Sequence, residues 1–304
     1  MASDTKNKAS QTAQELFAGS MGGVVQVLVG QPFDTVKVRL QTQSAENPQY
    51  SGLSDCVKKT IKNEGFAGFY KGTLTPLIGV GACVSIQFAA LEYVKRLFAS
   101  RNRANGHADP NYLSHGQLFL AGASSGIANS VVSGPVEGIR SRLQVQSGPN
   151  AQYSGPWDLV KQATKQCGFG AVYKGQAITM CRESLGYGMY FSSYEWLMQR
   201  TMQMEGKRRD QVEMWKQCLF GAMAGYSLWI AAYPVDVVKS KIQTDHFDPA
   251  KSRYKSILDC VRKTFARDGI AGFYRGFWVC MLRAGPVNAA TFVAYEVTMN
   301  MIGR

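Results

Sequence analysis

The chain has 304 residues, of which 18% are charged and 31 are glycine, and its mean hydropathy is -0.15. These values fit a soluble protein as well as a membrane protein with long polar loops, so composition alone does not decide the class. The net charge of +13 favours an anionic partner such as nucleic acid, acidic lipid or an anionic solute.

The seven cysteines include no C-x-x-C pair, which argues against a disulfide framework and a zinc site and fits a thiol-reducing compartment. The first 14 residues are polar, without an apolar core or an arginine-rich amphipathic pattern. We therefore expect no cleaved presequence.

The first predicted element is an apolar stretch. Residues 16–33 carry no charge and come close to the ~20 residues needed to cross a bilayer core. The stretch ends in PFDTVK (residues 32–37), and Gln41 follows seven positions after the acid. A basic loop then leads to the run GFAGFYKG (residues 65–72), after which residues 72–91 form a second charge-free stretch.

The same order of elements recurs twice along the chain. PFDTVK is matched by PVEGIR (residues 135–140) and PVDVVK (residues 234–239), and the glycine-rich run by GFGAVYKG and GIAGFYRG. Self-similarity at a nearly constant interval indicates a repeated structural unit. We predict three repeats, at residues 1–104, 105–208 and 209–304, that form one integrated transmembrane domain.

Six transmembrane helices follow from the repeats. Residues 116–136 and 217–235 are further charge-free stretches, and the repeat pattern requires two more spans near residues 176–200 and 277–301. Those two are interrupted by charged residues, and ionisable groups inside a membrane span are costly and often functional. Glycines four residues apart in the first helix of each repeat predict close helix contacts: Gly19/Gly23, Gly122/Gly126 and Gly221/Gly225.

The positive charge is concentrated in the loops inside the repeats. Residues 37–71 hold six bases and three acids, residues 140–174 five and one, and residues 239–275 nine and four. Loops rich in Lys and Arg on one side of a membrane set its topology, so both termini are predicted on the other side. A nucleic-acid-binding protein would need this charge on one surface interleaved with aromatic residues, and we therefore expect no nucleic-acid partner.

Pro-x-[Asp/Glu]-x-x-[Lys/Arg] three times, each followed by the glycine-aromatic-base-glycine run, resembles the signature of the mitochondrial carrier family. The resemblance extends over residues 16–302. It implies an all-α membrane protein of six transmembrane helices in a pseudo-threefold barrel, with short matrix-side helices. It also implies an inner mitochondrial membrane location with termini toward the intermembrane space, a monomer, bound cardiolipin, and alternating access.

The resemblance further implies a gate on the matrix side, formed by an acid and a base from each repeat: Asp34, Lys37, Glu137, Arg140, Asp236 and Lys239. The expected pairs are Lys37 with Glu137, Arg140 with Asp236, and Lys239 with Asp34, braced by Gln41, Gln144 and Gln243. Acid, base and glutamine lie at offsets of three and seven, hence on one helix face. The alternative is that these are ordinary surface pairs of little energetic weight.

On the opposite, cytoplasmic side, the family pattern of aromatic-acid-x-x-base is incomplete. The expected gate residues are Glu92, Lys95, Glu195 and Glu296. Because three acids meet only one base of the motif, we predict that at most one ion pair forms and that the outer gate is weak.

Substrate-binding residues are expected thirteen positions before each outer acid, at Gly79, Arg182 and Arg283, ~20 Å along the helix. Arg182 adjoins Glu183, and a base beside an acid complements a zwitterion, since the guanidinium binds a carboxylate and the carboxylate binds an ammonium. Gln87 and Asn288 are further candidates. The alternative is that Arg182 pairs permanently with Glu183 or snorkels to the interface.

Within the family, the Arg-Glu pair resembles the amino-acid and carnitine branch. Residues 30–42, 68–85 and 281–292 resemble fungal YMC-type carriers, whereas GMYFSSYEWL (residues 188–197) also resembles carnitine/acylcarnitine carriers. We predict transport of a small zwitterionic carboxylate, an amino acid or alternatively carnitine. A membrane receptor or scaffold on a carrier fold is the non-transport alternative.

Nothing in the sequence indicates an enzyme. There is no phosphate loop, nucleophile elbow or metal cluster, and the three histidines, His107, His115 and His246, are scattered. We expect no catalytic residues, no metal and no cofactor.

Overall fold

The computed structural model describes residues 2–43, 48–105, 113–146, 152–248 and 250–302, so that His107 lies outside the described residues. Within these ranges the chain forms nine α-helices and no β-strand. The helices are α1 (Ala2–Thr42), α2 (Leu53–Glu64), α3 (Leu74–Ala104), α4 (His115–Val145), α5 (Pro156–Cys167), α6 (Gln176–Glu205), α7 (Met214–Thr244), α8 (Ile257–Asp268) and α9 (Phe277–Ile302).

Each repeat consists of a long helix, a short helix, a 3₁₀ turn and a second long helix. The six long helices coincide with the six predicted spans, and the all-α fold class is confirmed.

By length and mean hydropathy alone, Met214–Thr244 and Ile270–Met301 are the two described helices apolar enough to cross a membrane. Phe66–Gly79 and Gly81–Ala104 pass the same test jointly, as a pair bent by 49°. Small and polar residues, such as the Ala-Ser-Ser of α4, lower the hydropathy of the others.

The short helices are amphipathic and bury pairs of residues four apart: Cys56 and Thr60 in α2, Leu159 and Ala163 in α5, and Cys260 and Thr264 in α8. This spacing places both members on one helix face. An aspartate in each first turn, Asp55, Asp158 or Asp259, accepts a hydrogen bond from a backbone N–H just before the helix. Side-chain bonds from Lys59, Gln162 and Lys263 respectively contribute most to lowering the pKa values of these aspartates.

The first and last glycines of each glycine-rich run have positive φ angles. The first glycine of each glycine-rich run, such as Gly65 with φ 68°, ends a short helix, and the last, such as Gly175 with φ 84°, precedes a long one. Backbone in this left-handed region is strained for residues with a Cβ. The 3₁₀ turn between these glycines therefore depends on their identity.

The described helices form two compact units. The first unit comprises residues 1–81, 139–165 and 275–304. Its helices α1 and α9 pack against each other, and its core contains Val36, Leu40, Tyr50, Cys56, Phe69 and Val279. The second unit comprises residues 82–138 and 166–274. There α6 packs against α7, and one of its clusters contains Ile178, Val238 and Cys260.

The predicted glycine contacts occur in one repeat. A Cβ at Gly122 or Gly126 of α4 would lie 2.6 or 2.5 Å from the carbonyl oxygen of Tyr187 or Glu183 of α6, so these glycines bring two backbones together. The prediction is wrong for Gly19 and Gly225, which have no neighbour within 4 Å. Spacing places glycines on one helix face but does not determine what that face packs against.

A buried ion pair joins the long and short helices of the first repeat. Arg39 donates to both carboxylate oxygens of Glu64, at 2.7 and 2.9 Å, and Lys71 lies 2.6 Å from the same carboxylate. Arg39 also donates to Thr60 and to the carbonyl oxygen of Gln144. Burial raises the pKa of Glu64, but the bonds from the two bases outweigh that effect, so the pKa lies below its usual value.

We predict that Glu64→Gln destabilises the protein by about 3 kcal/mol, because breaking a buried pair leaves the charge of Arg39 without its carboxylate. The measurement is thermal unfolding of purified protein in detergent. Asp55→Asn on the same helix is the control and should cost less than about 1 kcal/mol, since its partner Lys59 is exposed. Equal effects of the two substitutions would contradict the structural role of the buried pair.

Candidate functional site

In the first unit, the gate acid Asp34 lies between two bases. Its Oδ2 accepts from Nη2 of Arg140 at 2.8 Å, and its Oδ1 lies 3.0 Å from Nε of Arg283. Arg140 is a predicted gate base, whereas Arg283 is a predicted substrate-binding residue. The structure therefore brings a gate pair and a substrate-site arginine to one carboxylate.

The second unit repeats this arrangement at Glu137. Nζ of Lys239 contacts Oε2 of Glu137, and Nη2 of Arg182 lies 3.0 and 3.2 Å from the two carboxylate oxygens. Again one base belongs to the predicted gate and the other to the predicted substrate site. In each unit one carboxylate thus contacts both kinds of base, but Arg182 belongs to the same repeat as Glu137, whereas Arg283 and Asp34 belong to different repeats.

The direction of pairing is opposite to the one expected. Arg140, for which Asp236 was expected, pairs with Asp34, and Lys239, for which Asp34 was expected, pairs with Glu137. Each of these bases therefore contacts the acid of the preceding repeat. The expected partner of Glu137 was Lys37, which is buried on α1, but the contacts of Glu137 described here are with Lys239 and Arg182. Spacing along a helix places acid and base on one face, but helix tilt decides which neighbour each one reaches.

The glutamines contact hydroxyl groups near the pairs. Nε2 of Gln144 donates to Thr35, the residue after Asp34, and Nε2 of Gln243 donates to Thr179. Gln41 is buried on α1. Gln31 binds a predicted gate residue: its Oε1 accepts from Arg140, and its Nε2 donates to the carbonyl oxygen of Lys71.

Gln31 was not identified from the sequence because its position differs among the repeats. Gly134 and Tyr233 stand at the matching places, immediately before the prolines of the second and third repeats. A polar residue one turn before Asp34 on the same helix was the signal that could have found it.

Arg182 is the centre of the cluster in the second unit. Besides Glu137, its Nη2 lies 2.6 Å from Oε1 of Glu183, and its Nε lies 3.8 Å from Oδ1 of Asp236. Glu183 is only 1% exposed, and among the described residues its Oε2 has no hydrogen-bond partner. Gly126 lets α4 pack directly against the backbone of α6 beside Glu183, because a Cβ at Gly126 would lie 2.5 Å from the carbonyl oxygen of Glu183.

The remaining predicted substrate-site residues lie on α3 and α9. Gly79 is buried, Gln87 is half-buried and Asn288 is exposed, and their participation in binding stays a prediction. Gly30 provides room for Arg283, since a Cβ there would lie 3.1 Å from Nε and Nη2 of that arginine. Within the described part of the chain, no group of three His, Cys, Asp or Glu residues is placed to hold a metal ion.

Glu195 of the predicted outer gate contacts a base that the sequence motif does not include. Arg209, in the 3₁₀ turn Arg209–Gln211 before α7, donates to Glu195 at 3.0 and 3.1 Å. Lys95 lies 3.9 Å from Glu92 on its own helix, and Glu296 is exposed. The prediction of at most one outer ion pair considered only bases within the motif, and Glu195 finds its base in the loop that follows α6.

The chain is similar to known transporters over nearly its whole length. The family model described as mitochondrial carrier protein matches residues 8–102, 111–205 and 210–304. The chain is 50% identical to the glutamate/glycine mitochondrial carrier ymc1 of Schizosaccharomyces pombe, over 96% of both chains. It is 44% identical to the mitochondrial glycine transporter YMC1 of Saccharomyces cerevisiae, over 97% of this chain and 93% of the relative.

A more distant relative is the mitochondrial carnitine/acylcarnitine carrier protein of Homo sapiens, which is 37% identical over 95% of this chain and 94% of that protein. Three matched repeats of long, short and long helices, and carboxylates held between bases at their prolines, agree with these similarities. The chain belongs to the mitochondrial carrier family.

Proposed function

We propose that this protein carries a small zwitterionic amino acid across the inner mitochondrial membrane by alternating access. The observation that carries the proposal is the Arg182–Glu183 pair, in which a half-buried base adjoins a buried acid with an oxygen left for a further donor. The named fungal relatives, which carry glutamate and glycine by their descriptions, support the choice of an amino acid.

The chemistry of the pair matches the two ends of an amino acid. A guanidinium presents a planar set of N–H donors that suits a carboxylate, so Arg182 receives the substrate carboxylate. Oε2 of Glu183 receives the ammonium. Glu183 is buried and Arg182 is half-buried, which strengthens these contacts relative to the same contacts in water.

The same arginine links substrate binding to the gate. Arg182 contacts Glu137, the acid that Lys239 also contacts. A substrate carboxylate that engages Arg182 competes with Glu137 and removes one of the two bases that hold it. A ligand shifts a conformational equilibrium only by its differential affinity for the two states, and this competition provides such a difference. Arg283 and Asp34 offer the same relation in the first unit.

The topology completes the proposal. The basic loops within the repeats face the matrix, and both termini face the intermembrane space, in keeping with the side preference of basic loops. The three repeats act as one transmembrane domain, with the protein a monomer that associates with cardiolipin and binds no nucleic acid.

The decisive experiment is uptake by liposomes that contain the purified protein, tested with radiolabelled glycine, glutamate, lysine, carnitine and a nucleotide. We expect uptake of at least one amino acid. Carnitine is the informative competitor, because its quaternary ammonium has no N–H to donate to Glu183. Uptake of carnitine alone would replace the amino acid by the alternative substrate, and uptake of none of these compounds would contradict the proposal.

We predict that Arg182→Lys lowers kcat/KM for the amino acid by on the order of 100-fold, because a lysine keeps the charge but cannot bind a carboxylate bidentately. The measurement is initial uptake rate against substrate concentration. Arg200→Lys on the same helix, where Arg200 lies over the ring of Trp196, is the control and should change the value by less than about threefold. Normal transport by Arg182→Lys would exclude the bidentate contact.

We also predict that the inner gate is more sensitive than the outer one. Lys239→Gln removes a buried partner of Glu137 and should slow exchange by more than about tenfold. Arg209→Gln breaks a pair whose base is half-exposed, worth at most about 1 kcal/mol, and should change the rate by less than about fivefold. The measurement is amino-acid exchange in liposomes at saturating substrate, and the reverse order of effects would contradict this prediction.

A further inference from the structure

We propose that Glu183 binds a proton when the site is empty and that the substrate ammonium displaces this proton. Net transport of one zwitterion then moves one proton in the opposite direction. The inference rests on the proposed function, because it assigns the ammonium and the proton to the same carboxylate.

The first observation is a buried carboxylate oxygen without a hydrogen-bond partner. Nη2 of Arg182 carries two hydrogens and has three oxygens within 3.2 Å, two on Glu137 and one on Glu183. Nε of the same arginine lies 3.8 Å from Oδ1 of Asp236 and has no hydrogen-bond partner among the described residues. Glu137 also has Lys239, whereas the base described at Glu183 is Arg182. The second oxygen of Glu183 is buried and, in the described chain, has no hydrogen-bond partner. A buried carboxylate with an unsatisfied oxygen is costly.

The second observation comes from α4. The side chain of Asn129 hydrogen-bonds with Glu183, and Oδ1 of this asparagine is also buried, with no partner among the described residues. Asn129 is 3% exposed. Ionised Glu183 and Oδ1 of Asn129 can only accept hydrogen bonds. A proton on Glu183 makes its second oxygen a hydrogen-bond donor, and a substrate ammonium instead supplies that oxygen with a donor.

The other charged and titratable groups around Glu183 come from four helices. They are Cys83 on α3, Glu137 on α4, Arg182 and Tyr187 on α6, and Asp236 and Lys239 on α7. Glu137 repels a second negative charge. Arg182 and Lys239 oppose that repulsion, but both also contact Glu137. Glu183 is therefore the carboxylate of this cluster best suited to take a proton.

The zwitterion enters with its ammonium intact, the O–H bond of Glu183 breaks, and the proton leaves to water on the side from which the substrate came. On the other side the ammonium departs, and the carboxylate takes a proton from water there. When the carrier returns empty, one proton has moved against one zwitterion. Exchange of one amino acid for another moves no proton.

The test uses liposomes that contain the full-length protein, an internal pH-sensitive dye and no internal amino acid. Potassium with valinomycin holds the membrane potential at zero, and glycine is added outside. We expect the interior to become more alkaline as glycine enters, with about one proton lost per glycine. Glycine uptake without a pH change, or with acidification, overturns this inference alone. Glycine uptake that occurs only when the liposomes also contain an amino acid overturns this inference alone, and no uptake of any amino acid under either condition overturns the proposed function as well.

A second readout does not depend on proton flux. In glycine exchange, KM should rise as the pH falls, approaching about tenfold per pH unit once protonated Glu183 predominates, because proton and ammonium compete. Glu183→Gln should flatten this pH profile. Asp248→Asn, an acid-to-amide change in an exposed loop, should keep the wild-type slope. A wild-type KM that does not change with pH contradicts the inference.

Discussion

The carboxylates at the helix prolines need positive charge beside them, and the structure meets this need with two bases at each of two acids. Asp34 is held by Arg140 and Arg283, and Glu137 by Lys239 and Arg182. Removing a partner from a buried charge costs far more than losing a surface pair. The long helices that contribute these residues are therefore tied together where each acid follows its proline.

Each of these two acids contacts a base of the proposed gate and an arginine of the proposed substrate site, so the two proposed sets of residues are in direct contact. Arg182 can satisfy Glu137 or a substrate carboxylate more fully than it can satisfy both. If the gate acids did not contact the substrate-site arginines, substrate binding would have no direct connection to the opening of the gate. In the mechanism proposed for this chain, one guanidinium makes that connection, and its neighbour Glu183 receives the opposite end of the zwitterion.

Matching positions of the repeats have diverged where the surroundings differ. The residue just before the helix proline differs in each repeat. Gln31 hydrogen-bonds with Arg140, and Gly134 leaves room for the side chain of Gln176. Tyr233 is buried against the ring of Tyr274. Likewise Glu64 binds Arg39 at the end of α2, whereas Cys167 ends α5. The repeat supplies the backbone arrangement, and individual side chains adapt it to local contacts.

Much of the proposed site could be predicted because its residues either interrupt an apolar span or recur at the same place in each repeat. Arg182, Glu183 and Arg283 stand out as charges in predicted spans, and the acids and bases of the inner gate recur with their prolines. Gln31 and Arg209 do not recur, and no pattern marks them. Their roles depend on a base from another repeat and on the path of a loop.

The amino-acid sequence by itself determined the three repeats, the six long helices and the identity of the charged residues, because periodicity and hydropathy are local properties of the chain. The tertiary structure decided which acid each base contacts, that the glycines of α4 but not Gly19 or Gly225 approach another backbone, and that Arg182 serves two carboxylates. Those outcomes depend on helix tilt and on which helix faces meet, and residue spacing encodes neither.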